Sequence, residues 1–375
     1  MSSRFCASCV MPIWDESVKF GRPGLGLSED GKTCVACARA KAAKSIDWNA
    51  RWSELEKLCD KHRKTDGSAD VVVPVSGGKD SHYQVYVLRQ LGMHPHLVTV
   101  RDCFGGTKVG AENLANLERY ACGLTTWRQN PDQMKRMAKD AFVRYACPTW
   151  PIDLAIYAVP PRIAAQMGIS LTVYGENISW TYGGGNAKDE PSAMAQANND
   201  VVRKLDIEID PESAAAFKPY DPLVQLTAIE PIYLSYFVPW DGYRNYRLAQ
   251  SMGFQDSNEE WDREGFVENY DQIDSLGYCV HPQLKWNKFG AARVMDVCSN
   301  LIRGGYMTRE RAIKYVHDNE GYIDKRARGD FCECLRISLR EFDEVVERNT
   351  NKELFTNETM WEGYYALKDQ YQIKA

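Results

Sequence analysis

Two groups of residues in this chain have the types and spacing to do chemistry. The first is Ser76-Gly-Gly-Lys-Asp-Ser81, directly after the apolar run Val71-Val-Val-Pro-Val75. A nucleotide's phosphates need converging donors, and a loop of small residues between a strand and a helix N-terminus supplies them from backbone N–H groups and the helix dipole. Gly77 and Gly78 permit close approach, Ser76 and Ser81 add hydroxyl donors, and Lys79 adds a positive charge. Asp80 is suited to orienting the loop or holding Mg2+ through water. Lys79 and Asp80 are therefore the expected catalytic pair of an ATP site. The run is not a Walker A loop, because the G-x4-G-K-S/T spacing is absent.

The second group is the cysteine pairs Cys6-x2-Cys9 and Cys34-x2-Cys37, which flank a stretch bearing Gly and Pro, Gly21 to Gly31. Two such pairs bring four thiolates to one tetrahedral Zn2+, a structural ion that replaces the core this short segment lacks. Cys147, in Ala-Cys-Pro-Thr-Trp-Pro, precedes a helix and is a candidate for lining the site; an inert buried thiol is the competing reading. Cys332-x-Cys334 is a weaker metal signal. Cys59, Cys103, Cys122, Cys279 and Cys298 are scattered and read as packing residues. The six histidines form no H-x3-H or H-E-x2-H arrangement, so a catalytic zinc is not expected.

These groups need elements to hold them. Trp48, Trp52, Leu55 and Leu58 recur at helical spacing between Asp47 and Arg63, and Thr65-Asp-Gly-Ser68 ends that helix. Strand Val71–Val75 then alternates with a helix carrying Tyr83, Val87 and Leu91, a strand at 97–100, a helix at 109–120, a strand at 124–127, a helix at 134–145 and a strand at 171–174. Strands alternating with helices predict a parallel sheet covered on both faces. Such sheets bind ligands beyond the carboxyl ends of their strands, which nominates Thr99 and Gly175 for the nucleotide. Glu176, Asn177, Tyr182 and Cys147 are the substrate-side candidates. Residues 178–230 lose periodicity and read as a loop-rich insertion of the kind that covers substrates. The stretch 233–240 and the segment 291–316 read as helical.

The chain therefore divides into a zinc-ribbon-like unit (1–50), a linker helix (51–68), an ATPase domain with its insertion (69–280) and a helical C-terminal region (281–375). The 46 basic and 51 acidic residues give a net charge of -5, which argues against a primarily nucleic-acid-gripping role. No run of about 18 apolar residues occurs, and Met1-Ser-Ser-Arg-Phe-Cys6 has no apolar signal region, so no membrane partner and a cytoplasmic location are expected.

The six-residue run after a strand resembles the PP-loop of the ATP pyrophosphatases, an α/β fold of the adenine nucleotide alpha hydrolase-like class that splits ATP into AMP and pyrophosphate. Cys6-Ala-Ser-Cys-Val-Met-Pro12, Val75-Ser-Gly-Gly-Lys-Asp-Ser-His-Tyr-Gln84, Glu112-Asn113, Tyr174-Gly-Glu-Asn177 and Tyr182-Gly183 together resemble the N-acetyl sugar amidotransferase family. So do Pro239-Trp-Asp241, Met252-Gly-Phe254, Lys285-Trp-Asn-Lys-Phe-Gly290 and Arg303-Gly-Gly-Tyr-Met-Thr-Arg-Glu-Arg-Ala312. The resemblance implies a role in lipopolysaccharide or pseudaminic-acid synthesis, with a nucleotide-linked N-acetyl sugar as substrate and ammonia delivered by glutaminase and synthase-like partner subunits. No cysteine stands in a nucleophile-elbow context, so the chain is not expected to make its own ammonia. Two rival readings are a tRNA thiolation enzyme, which also combines cysteine pairs with this loop, and a non-enzymatic zinc-ribbon scaffold. The intact phosphate loop weighs against the second.

Overall fold

The computed structural model describes residues 4–13, 28–183, 187–194 and 229–352. It opens with a short antiparallel ladder, β1 (Arg4–Phe5) on β2 (Pro12–Ile13), followed by α1 (Val35–Ala42) and α2 (Trp48–His62). The sheet domain then runs β3 (Val71–Pro74), α3 (Lys79–Gln90), β4 (Pro95–Arg101), α4 (Lys108–Glu118), β5 (Gly123–Arg128), α5 (Pro131–Tyr145), α6 (Trp150–Gln166) and β6 (Leu171–Tyr174). The turn α7 (Ile178–Thr181) follows, then β7 (Glu230–Tyr233), the turn α8 (Leu234–Phe237) and α9 (Gly242–Ser251). The described C-terminal part is helical: α10 (Leu276–Gln283), α11 (Lys285–Phe289), α12 (Arg293–Arg303), α13 (Arg309–Asn319), α14 (Lys325–Leu335) and α15 (Leu339–Arg348).

The five long-range strands pair in parallel in the order β5-β4-β3-β6-β7. Strand side chains alternate faces, and each face has its own core. Val72 and Val98 pack with Phe142, Trp150 and Val159 from α5 and α6, and with Phe331 and Phe342 from the C-terminal helices. Val71, Val73, Leu97 and Val173 pack on the other face with Leu55, Val85, Leu88 and Leu117 from α2, α3 and α4. The sheet is thus buried on both sides, as parallel sheets require.

From β3 the chain winds outward through β4 to β5, then α6 carries it back past β3 to β6 and β7. The strand order reverses between β3 and β6, so their following loops diverge and leave a crevice at their carboxyl ends. The residues after β3 are Ser76 to Ser81, and those after β6 are Gly175 to Asn177.

Local chemistry sets the helix ends. Asp47 accepts the backbone N–H of Asn49 and Ala50 to start α2, Thr107 accepts Gly110 N to start α4, and Ser338 with Glu341 forms a capping box on α15. One sequence expectation is corrected here and a second is borne out with a break. The stretch 233–240 is not one helix. Ile232 and Tyr233 pair in register with Val173 and Tyr174 as the edge strand β7, and only one helical turn follows. Burial against β6 outweighs the weak helical pattern. The segment 291–316 is two helices, broken at Gly304-Gly305 where Gly305 takes a φ of +78°. Most of the expected insertion at 178–230 and the chain beyond Lys352 lie outside the described residues.

No helix of the described residues is long and apolar enough to cross a membrane. Among the buried acids of the C-terminal helices is Glu320, whose carboxylate accepts Met295 N at 2.7 Å. Burial, reinforced by Asp296, raises its pKa to about 7. An acid raised in the fold stabilises it fully below its unfolded pKa, and that stability is lost as pH rises through about 7. Glu320→Gln should therefore gain melting temperature relative to the wild type as pH climbs from 4.5 to 7.5, read by calorimetry across that range; a pH-independent difference would show that Glu320 is ionised throughout.

Candidate active site

The loop after β3 is shaped by its own small residues. Gly77 takes a φ of +92°, and a side chain there would strike the backbone of Leu114 on α4 at 2.9 Å. Ser81 Oγ accepts Ser76 N at 3.1 Å, and Ser76 Oγ accepts Gly78 N at 3.3 Å, so the two serines brace the turn from inside. Gly78 is the N-cap of α3 and no side chain caps that helix. Its first-turn N–H groups and positive dipole end are left to a ligand, the arrangement that receives phosphate.

Lys79 and Asp80 do not sit on an exposed loop. They open α3, and Lys79 is 4% exposed. Its Nζ donates to Asp80 Oδ2 at 2.6 Å and to Asp271 Oδ1 at 2.5 Å, and it lies 5.9 Å from the Tyr270 ring. Burial opposes the ammonium charge, yet Asp271 and Asp80 hold it protonated well above the usual lysine value. Asp80 Oδ1 also accepts Asn245 Nδ2 at 2.8 Å, so α9 fixes this carboxylate from the far side. The side chain of Lys79 runs beneath Gly242 at the start of α9, where a Cβ would be 3.5 Å from Cε.

Asp271 is the residue sequence reasoning missed. Its other oxygen accepts Arg293 Nη2 at 2.6 Å, Arg293 reaches Glu268 Oε1 at 3.1 Å, and Arg263 stands 3.7 Å from Glu268 Oε2. Lys79 and Arg293 hold the Asp271 carboxyl well below the usual carboxylate range against the effect of burial. Nothing in the run Glu268-Asn-Tyr-Asp271 resembles a motif; only its concentration of acids would have drawn notice. Arg293 falls between two stretches that carried the family resemblance.

The other crevice wall comes from β6. Gly175 is tightly covered, since a Cβ would meet the Trp240 ring at 3.1 Å and Gln84 Oε1 at 3.2 Å and both would have to give. Glu176 follows, its pKa raised to about 7 by burial first and then by the charge of Asp80, with Asp271 adding and Lys79 opposing. Asn177 caps α7 by accepting Trp180 N at 3.1 Å, a structural role not anticipated. Tyr182 has its phenol pushed up by burial and then by Glu176, and its oxygen accepts Asn300 Nδ2 at 3.4 Å. Glu176 thus feels the charges of Lys79, Asp80 and Asp271, and Tyr182 those of Glu176, Asp271 and Arg293.

Thr99 lies inside β4, 2% exposed, two residues short of the strand's end. At that end, Asp102 accepts Ser275 Oγ at 2.6 Å and has its pKa raised by burial, while Asp274 is raised to about 6 by burial and then by Asp102. Cys147 stands just beyond α5, partly buried against the core under that sheet face. Cys334 Sγ donates to Cys103 O at 3.0 Å, which joins α14 to the loop after β4.

The four cysteines of the N-terminal unit are brought together. Their sulfurs all lie within 4.8 Å of one another, all are buried, and Cys9 and Cys34 Sγ are 3.8 Å apart. Among the described residues this is the one His, Cys, Asp and Glu group so arranged. Metal–sulfur bonds of about 2.3 Å in a tetrahedron place sulfurs about 3.8 Å apart, so the set fits. Cys34 N and Ser8 N both donate to Cys6 Sγ, at 3.3 and 3.4 Å. This unit is not free-standing: its cysteines share a core with Trp286, Val294, Met295 and Val316, and Arg309 Nε donates to Cys9 O at 3.1 Å.

Residues 264–368 match the family described as LPS biosynthesis protein WbpG-like, C-terminal domain. A predicted subunit of tRNA methyltransferase from Methanocaldococcus jannaschii is 16% identical, with 49% of this chain and 76% of that chain covered at a TM-score of 0.27. NAD+ synthetase from Burkholderia pseudomallei is 15% identical, with 58% and 94% covered and the same TM-score of 0.27. Curated proteins give no match. The region matched over 264–368 contains Asp271 and Arg293, so the stretch similar to the WbpG-like C-terminal domain supplies two of the residues that surround Lys79.

Proposed function

We propose that this chain is an ATP-dependent amidotransferase of surface-polysaccharide synthesis, converting the acetamido group of a nucleotide-linked N-acetyl sugar into an acetamidino group. One observation carries the ATP-using part of this reading: the uncapped N-terminus of α3, with Gly77, Gly78 and the buried Lys79, opens into the crevice between β3 and β6. The WbpG-like match and the sequence resemblance support the substrate class.

The chemistry suits the residues. An amide oxygen leaves poorly, so it first attacks the α phosphorus of ATP and expels pyrophosphate. Ammonia then adds to the imidate carbon, AMP departs with the former amide oxygen, and the amidine remains. The α3 N-terminus and Lys79 stabilise charge on the departing phosphates. Glu176, half-neutral near pH 7, is placed to accept a proton from the adding nitrogen. Mg2+, when bound, would neutralise phosphate charge further, and Asp80, whose carboxylate is partly exposed, is the residue here suited to hold it through water. Zn2+ held by Cys6, Cys9, Cys34 and Cys37 would be structural, since all four ligands would be buried cysteine sulfurs. Ammonia from glutaminase and synthase-like partner subunits completes the reading.

Four outcomes are expected. AMP and pyrophosphate should appear in step with product, and heavy oxygen placed in the acetamido group should end in AMP; ADP as first product would exclude the mechanism. Lys79→Met should lower AMP release at saturating ATP by about 100-fold or more. Because it strips a partner from two acids, it should also destabilise the fold by about 3–5 kcal/mol, so activity must be read below its melting transition. The rate should rise with pH through a limb near 7 that Glu176→Gln abolishes, since the base acts deprotonated. Elemental analysis should find zinc in the purified chain and lose it in Cys34→Ser, and chelation should loosen the contacts with α12 and α13, read by hydrogen exchange.

A further inference from the structure

Lys79 and Arg293 are both buried cations, come from parts of the chain more than half its length apart in sequence, and converge on the two oxygens of one carboxylate, at 2.5 and 2.6 Å. A carboxylate gripped by two converging cations beside an uncapped helix N-terminus has the charge and oxygen geometry of a bound phosphate group. Its own chain supplies that anion.

We propose that Lys79 and Arg293 form a phosphate subsite, and that the Asp271 carboxylate fills it until a phosphate of the nucleotide, or pyrophosphate, takes its place. The subsite rests on the ATP reading above and extends it to Arg293, a residue of the WbpG-like region that no motif marks.

Three observations beyond the two ion pairs support this. Arg293 Nε is buried without a hydrogen-bond partner, so its guanidinium has a donor left over that a phosphate, with more acceptor oxygens than a carboxylate, can use. Each cation keeps a second acid when Asp271 withdraws: Lys79 keeps Asp80, and Arg293 keeps Glu268. Asp271 is also followed by Gln272 in a left-handed φ of +50°, a conformation uncommon for a residue other than glycine. The displaced carboxylate would meet acids nearby, namely Glu176, Asp80 and Glu268, so it moves only when the entering anion is bound more strongly than it is.

The test is calorimetric titration of the full chain with a non-hydrolysable ATP analogue carrying a methylene between the α and β phosphorus, and separately with inorganic pyrophosphate. Removing the internal competitor raises the fraction of open sites, so Asp271→Asn should bind both ligands about tenfold more tightly than the wild type. Arg293→Gln should bind both about tenfold less tightly. Because Arg293→Gln alone leaves Asp271 and Glu268 short of a partner, Asp271→Asn/Arg293→Gln serves as the folded control, checked by its melting curve. It should bind more weakly than Asp271→Asn. Equal or weaker binding by Asp271→Asn than by wild type, or a double variant that matches Asp271→Asn, overturns the subsite. Wild type that ignores the ATP analogue while Asp271→Asn still gains affinity for pyrophosphate would sink the ATP reading and leave the anion subsite standing.

Discussion

The Asp271 carboxylate between Lys79 and Arg293 is the constraint around which the rest of the molecule is arranged. A charge taken out of water is costly unless it is paired, and here Asp80, Lys79, Asp271, Arg293, Glu268 and Arg263 alternate in sign along one chain of contacts. Because acids and bases balance, the network can be buried. Because its members come from α3, the segment before α10 and the start of α12, the phosphate loop and the helical C-terminal region cannot separate without exposing unpaired charge. The candidate site is therefore composite, with Lys79 and Asp80 on the sheet domain and Asp271, Glu268 and Arg293 on the region that carries the family match.

The same junction is reinforced on both flanks. On the β4 side, Ser275 bonds Asp102, Gly105 N donates to Asp330 Oδ2 at 3.0 Å, and Phe104 stacks on Phe331. On the β6 side the cysteine unit does the bracing. Arg39 of α1 donates to Trp180 O at 3.0 Å and lies over the Trp180 ring, while Gly183 turns against Ala36 with no space for a side chain. A metal in the four-sulfur site would thus hold α1, and α1 holds the segment that follows Glu176. The cysteine unit lies apart from the phosphates yet contributes to the shape of the crevice wall.

Environment also sorts the acids of the site into two kinds. Asp271, flanked by two cations, stays ionised, whereas Glu176 and Asp274, taken out of water and then repelled by Asp80 and Asp102 respectively, are shifted toward neutrality, to about 7 and about 6. Neighbouring acids with separated pKa values can hold charge and exchange protons within one crevice. That division follows from which cations are within reach, and composition carries no trace of it.

What could be read from the sequence was whatever is written in short-range spacing. Val71 to Ser81 combined an apolar strand, two glycines and a helix pattern, and adjacent residues in a chain must be adjacent in space. The cysteine pairs were legible for the same reason, since two residues between thiols suffice to let both face one point. The alternation of apolar runs likewise announced a parallel sheet. The strand β7 was not legible, because its four residues become a strand only by lying beside Leu171–Tyr174. Nor could spacing show that Lys79 is buried, that Trp240 closes over Gly175, or that the cysteine unit shares its core with Trp286 and Met295. Asp271 and Arg293 were invisible for the deepest reason: an ion pair between residues far apart in the chain leaves no local pattern, and only folding brings its charges within reach of Lys79.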